Sequence, residues 1–372
     1  MEGGPPYRAD HVGSFLRPPQ VHQARRAHAE DRLSAEGLRA VEDEAIRALV
    51  IREEAVGLRG ITDGEYRRTF FHTDFLEQLE GVTVTEGKFL ARFKKDDGTE
   101  VGFTPPTMLV TSPIRHATSI QGEDFDFLAS VVTRTPKVSI PSPSMLHFRG
   151  GREAVSEETY PDLDRFFDDL TAAYRAEIAD LAARGCTYLQ LDDTNLAYLC
   201  DPVIRERTAA RGDDPDDLVH LYAKLVNESI RDRPEGMTAS IHLCRGNYRS
   251  AWVSQGGYEP VAEILFNEMA VDAFFLEYDD DRSGDFAPLR HVPADKEVIL
   301  GLMSSKKPQV DDADAVAQRL EEAFTYLDPA QTGLSHQCGF ASTVDGNELT
   351  EDDQWRKLEQ TVAIAADIWS NH

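Results

Sequence analysis

In the stretch SIHLCRGN, His242 and Cys244 stand two residues apart. The run before them, MTAS, is small and apolar enough for a buried strand. Side chains at i and i+2 of a strand point to the same side. An imidazole and a thiol would therefore emerge together at the strand's end, and zinc takes both. Alone, such a pair carries little weight, but two further segments supply company. Cys338 lies in GLSHQCGF, and Glu277 closes the apolar run FFLE where a buried strand would otherwise continue. Glu277 is the natural oxygen ligand, and its competing reading is an ion pair with Arg282. Cys186, ahead of an apolar strand, and Cys200, in a loop or helix start, read instead as small buried hydrophobes.

For these residues to meet, the fold must bring distant strand ends together. Eight short apolar segments punctuate the chain: Leu58 to Thr62, TMLVTS near Met108, KVSIPSP near Ile140, TYLQLDD from Thr187, the His242 segment, VDAFFLE near Phe275, EVILGLMSS from Glu297 and GLSHQCGF near Ser335. Helical periodicity separates most of them: about Tyr160 to Arg184, Asp214 to Arg231 and Asp352 to Ile368 each carry apolar residues at helix spacing. Alternating strand and helix implies a parallel sheet with right-handed crossovers. Eight units predict an α/β fold of the (β/α)8 TIM barrel type. Residues from about Pro19 to Val56 read as two helices forming an N-terminal helical extension. KKDDGTEVGF within about 88–103 reads as a hairpin insertion, from its Asp-Gly turn between alternating residues. An open doubly wound sheet is disfavoured because no Gly-x-Gly-x-x-Gly follows the first strand. One catalytic barrel over 1–372 is expected. Glu65, Asp192, His242, Cys244, Glu277 and Cys338 then fall at or just past strand ends, which in a barrel converge on one face.

The formal net charge of -27 argues against a nucleic-acid partner, whose phosphates need a basic footprint. The acids are spread over many helices and describe the surface. Four cysteines in 372 residues form no disulfide framework and suit a reducing compartment. The N-terminus lacks the basic flank and apolar core of a signal peptide, and no apolar run reaches membrane-span length. A cytoplasmic location without a membrane partner is expected, with homo-oligomerisation left open.

The motifs HVGSFLRP, DGEYRR, QLDD, HLC, LEYDDDRSG and QCGF, in this order from about His11 to the last helix, resemble cobalamin-independent methionine synthase. The likeness is to its catalytic C-terminal barrel, and closer still to short single-barrel relatives. The resemblance implies a Zn2+ cofactor held by His242, Cys244, Glu277 and Cys338, and a methyl transfer to the thiol of homocysteine. It implies that Ser14, Glu65 and Asp192 contact the amino-acid part of that substrate, with Asp192 among the residues serving catalysis. A thiol is mostly protonated near neutral pH and loses its proton on zinc, so the residue types suit the chemistry. Asp192 has a competing reading as a helix cap, which Asp193 would serve equally well.

Two departures bear on the methyl donor. Long forms of the family carry a second, N-terminal barrel that helps to hold a polyglutamylated folate, and this length leaves no room for one. The long form also places a histidine, thought to donate a proton, in the loop after the seventh strand. Here that loop reads GLMSSKKP, with Met303, Ser304 and Ser305, and His336 and His72 are the substitutes to consider. Three functions are therefore weighed: methionine synthesis from homocysteine; another zinc-dependent thiol alkyl transfer, such as epoxide opening by coenzyme M; and a non-catalytic zinc-binding barrel with a closed four-ligand site. Retention of both Glu65 and Asp192 favours an amino-acid thiol.

Overall fold

The computed structural model of the chain describes residues 4–87 and 90–370. Its strands, in chain order, are β1 (Gly60–Ile61), β2 (Glu80–Thr85), β3 (Ala91–Lys94), β4 (Glu100–Phe103), β5 (Thr107–Arg115), β6 (Thr135–Pro141), β7 (Tyr188–Asp193), β8 (Thr238–Leu243), β9 (Ala273–Glu277), β10 (Glu297–Met303) and β11 (Thr332–His336). Seven of them form one sheet in the order β1-β6-β7-β8-β9-β10-β11, every pair parallel. The N-terminal segment closes the ring. Ala9 bridges Leu334 of β11 in parallel, with Asp10 N donating to Leu334 O at 3.1 Å and Leu334 N to Arg8 O at 2.7 Å. On its other side, Thr62 Oγ1 donates to Gly13 O at 2.6 Å and Phe15 N to Gly64 O at 3.1 Å. This is a (β/α)8 barrel whose first stave is held partly by side chains.

Two expectations change here. TMLVTS is no barrel strand: it lies in β5, which pairs antiparallel with β2 in a separate two-stranded sheet. Its burial alternates over Thr107–Val110 and then gives way to an exposed run, whereas barrel strands are buried on both faces and read as continuous apolar runs. The eighth stave is the segment around Ala9 instead. In consequence the two helices α1 (Pro19–Ala29) and α2 (Ala35–Val56) are not an appendage. They are the crossover from the first stave to β1. α2 starts where the Ser34 hydroxyl accepts from Gly37 N, and it stops at Gly57, whose φ of +107° favours glycine. The hairpin insertion is β3 paired with β4, nested inside the longer β2–β5 excursion; Lys88, taken as its start, lies outside the described residues.

Alternation along the strands sorts the side chains. Leu189, Leu191, Ile241, Leu243, Phe274, Leu276, Val298 and Leu300 join the main core between barrel and helices. Each such side chain, fully buried, contributes about 1.5–3 kcal/mol. The residues between them point inward: Tyr188, Phe275 and Ile299 meet Tyr7 and Val12 in a separate inner cluster. Lys137 of β6 is fully buried there, 3.1 Å from Asp10 and 4.2 Å from the centroid of the Phe275 ring. The outer helices Leu163–Ala183, Pro215–Ile230 and Glu351–Trp369 are N-capped by Asp162, Asp214 and Thr350, so part of the acidic excess serves helix starts. No described helix is long and apolar enough to cross a membrane.

Candidate active site

The inward alternation that puts Tyr188 and Phe275 in the barrel puts Asp192, His242 and Glu277 at its C-terminal mouth. Asp192 and His242 are register partners on β7 and β8. Cys244 follows the end of β8, its N–H donating to Asp193 O at 2.7 Å, and Cys338 follows β11. The ligand atoms of His242, Cys244, Glu277 and Cys338 all lie within 4.8 Å of one another, and all four residues are buried. The two sulfurs are 3.5 Å apart. Cys186 and Cys200 lie elsewhere in the core, where burial pushes their thiols up to about 12 and about 11.

This donor set fits a metal cation. Among the described residues, neither ring nitrogen of His242 nor Oε2 of Glu277 has a hydrogen-bond partner, although each is shut away from solvent. Orphaned buried polar atoms are costly, and a cation among the four would satisfy them together. Glu277 Oε1 is already oriented by the backbone N–H of Arg245 at 2.8 Å, the outer support that metal ligands generally need. The bond from Cys244 holds the Cys338 thiol well below its ordinary value, and the same bond, with burial, pushes Cys244 up. Burial depresses the His242 imidazole, but the Cys338 sulfur beside it more than offsets that. Burial raises Glu277 to about 7, with Lys306 opposing. The competing pair with Arg282 does not form: Arg282 sits against Asp280 and, at 3.8 Å, Asp279.

A second group of acids faces the same narrow pocket of ≈ 60 Å³. Asp192 Oδ1 accepts from Gln190 Nε2 at 2.7 Å. Glu65 Oε1 accepts from Ser139 Oγ at 3.2 Å and lies 3.9 Å from Arg68, while Glu65 Oε2 is buried without a partner. Burial and the charge of Glu65 raise Asp192 to about 7; burial also raises Glu65. Glu65 has φ +58°, an uncommon conformation for a residue with a side chain and the kind of strain found at functional sites. Arg17 pins it there by donating to its carbonyl at 2.6 Å. Ser14 lines the pocket too, its hydroxyl accepting from Ala341 N at 3.3 Å. That approach requires Gly339, because a Cβ there would fall 1.9 Å from Ser14 Oγ.

The two histidines separate. His72 lines the pocket, 3.1 Å from Arg149 Nη1, and burial keeps it neutral. His336 is buried against Phe340, ring centroids 4.9 Å apart, outside the residues that line the pocket. Three features escaped the sequence reading. Phe93 and Phe103 of the hairpin join Phe70 and Tyr248 as an aromatic wall of the pocket. Arg149 reaches its mouth. Lys306, in the loop searched for an acid at Met303, Ser304 and Ser305, is buried beside Glu277. Only the double Lys after GLMSS hinted at the last, and lysine pairs are common on surfaces.

Residues 8–366 match the family model described as the catalytic domain of cobalamin-independent synthase. A protein of Bacillus subtilis, YxjG, itself uncharacterized, is 43% identical over 98% of this chain and 95% of its own length. The methionine synthase of Saccharolobus solfataricus is 24% identical over 93% of this chain and 95% of its own. A solved structure from Listeria monocytogenes, provisionally assigned as a vitamin-B12-independent methionine synthase, superposes with a TM-score of 0.78 at 37% identity, covering 98% of this chain and 99% of that one.

Proposed function

Because the chain belongs to the family of cobalamin-independent synthase catalytic domains, we propose that it is a zinc-dependent methyltransferase that methylates the thiol of homocysteine. His242, Cys244, Glu277 and Cys338 would hold the zinc. Bound there, zinc would supply an incoming thiol with the charge that strips its proton and keeps the sulfur nucleophilic. The chain's own residues do the rest. Glu65 and Asp192 bind the substrate's ammonium group, and Ser14 borders the same pocket. Holding the amino-acid end fixes the sulfur for in-line attack on the methyl carbon. One S–CH3 bond forms as the donor's bond to methyl breaks, and the thiol proton leaves to solvent or to the donor's leaving group. The phenyl rings of Phe93 and Phe103 exclude water from the sulfur.

The observation that carries this reading is a double shortage of positive charge. Two buried acidic groups, one of sulfur and carboxylate and one of paired carboxylates, each have one cation at 3.9 Å, Lys306 and Arg68, which does not offset the burial that raises Glu277 and Asp192. A dication answers the first and an ammonium the second. A thiol bearing a sulfonate and no amine, such as coenzyme M, would meet Glu65 and Asp192 with like charge, which disfavours that alternative. The test is methionine formation by zinc-loaded protein from homocysteine, with monoglutamyl methyl-folate, polyglutamyl methyl-folate and methylcobalamin offered in parallel. Cobalt-substituted protein titrated with homocysteine gives the companion readout. An unaltered thiolate absorption band would indicate a closed, non-catalytic metal site and sink the proposal.

A further inference from the structure

Lys306 is 5% exposed, and its ammonium lies 3.3 Å from Asp279 Oδ2 and 3.9 Å from Glu277 Oε2. Asp279 also has Arg282 at 3.8 Å, but Arg282 is held closely by Asp280, so Lys306 stands between Asp279 and Glu277 and serves both. Glu277 is asymmetric. Its Oε1 is tied to Arg245 N at 2.8 Å, while Oε2, the oxygen facing Lys306, is buried with no hydrogen bond. A movement of about 1 Å would bring Oε2 from an ion-pair distance to a charge-assisted hydrogen bond.

From this geometry we infer that Lys306 is a positioning residue: it receives Glu277 Oε2 when a substrate thiolate takes that carboxylate's place in the ligand set. The inference rests on the zinc-thiolate reading above and names the residue that makes exchange possible. With two thiolates and one carboxylate against a dication, the site would carry one excess negative charge, which Lys306, shared with Asp279, offsets in part. A thiolate arriving adds another. A displaced carboxylate that stayed buried without a cation would oppose its own release. Lys306 offers that cation on the side of Glu277 away from its Arg245 tether. The same charge repels the metal, so it favours the substrate-bound arrangement over the resting one.

The test compares cobalt-loaded wild type, Lys306→Met, Glu277→Gln and the double variant. Homocysteine affinity is read from the thiolate band, and metal affinity from competition with a chelator. Closing an ion pair from 3.9 Å to about 2.8 Å at an effective dielectric of about 20 corresponds to a roughly 10- to 30-fold loss of homocysteine affinity in Lys306→Met. Metal affinity in that variant stays the same or tightens. In the Glu277→Gln background, Lys306→Met has no further effect on homocysteine binding, and Lys306→Arg retains most of the affinity. Parallel losses of metal and thiol affinity, or additive losses in the double variant, would overturn the inference. If Lys306→Met does not fold, Lys306→Gln is read by the same criteria. A wild-type band that ignores homocysteine overturns the zinc-thiolate reading and this inference with it.

Discussion

Asp192→Asn keeps the shape of the side chain and the oxygen that accepts from Gln190, and removes only the charge. In a complex with homocysteine, the ammonium would lose one of two buried carboxylates. Losing one partner of a buried, hydrogen-bonded charge pair costs about 2–5 kcal/mol. Glu65 remains, so the low end applies: ~2–3 kcal/mol, or roughly 30- to 150-fold in Kd. Calorimetry on zinc-loaded protein with homocysteine and with 4-mercaptobutyrate, which lacks the amine, isolates the charge. Homocysteine should weaken by that factor and 4-mercaptobutyrate hardly at all. Stability should move the other way. The Asp192 carboxyl sits at about 7 in the metal-free fold against an ordinary 3.8, so the native state holds its proton more tightly than the unfolded chain does. Stability therefore falls as pH climbs from ~4 to ~7, by at most ~4 kcal/mol for this group. Asp192→Asn should raise the unfolding free energy at pH 8 and change it far less at pH 4. Equal losses for both thiols, or a less stable variant at pH 8, would make Asp192 a structural group and refute the reasoning.

Cys338→Ser should lose metal affinity beyond the ~10- to 100-fold that even an outer-shell change costs, while the metal-free protein keeps its circular dichroism and Tm, because Cys338 belongs to none of the three hydrophobic clusters. Stripping the metal with a chelator should lower Tm and zinc should restore it; free zinc at about 1,000 times its Kd adds ~4 kcal/mol. Lys137→Met should destabilise by ~3 kcal/mol in denaturant titrations, since Asp10 would be left buried without its 3.1 Å cation; an unchanged midpoint would contradict the ion pair. Replacing Ala91–Phe103 by a short Gly-Ser link should leave a folded, metal-binding barrel with raised KM, because β3 and β4 form their own sheet, joined to the loop after β8 by the Lys94–Trp252 bridge, while Phe93 and Phe103 line the pocket.

Much of this protein is written locally. The runs YLQLDD, SIHL and FFLE are buried on both faces, so their strand character survives any choice of neighbour, and β7, β8 and β9 lie where those runs predict them. The i, i+2 spacing of His242 and Cys244 likewise needs no tertiary information, since strand geometry alone sends both side chains one way. The closure of the barrel is different. Nothing in the residues around Ala9 has strand periodicity; they act as a stave because β11 and the end of β1 leave backbone groups that must be paired. TMLVTS has a strand's composition, yet only the surrounding surface decides that it pairs with β2. The same holds at the site. Residue types at strand ends nominate His242, Cys244, Glu277 and Cys338, and closure brings their atoms together. Whether Glu277 answers to Arg282 or to Lys306, and which histidine faces the pocket, depends on how loops pack over the mouth. Those loops are set by contacts between residues tens of positions apart, such as His72 with Arg149 and Ser305 with Gln337, so no local pattern encodes them.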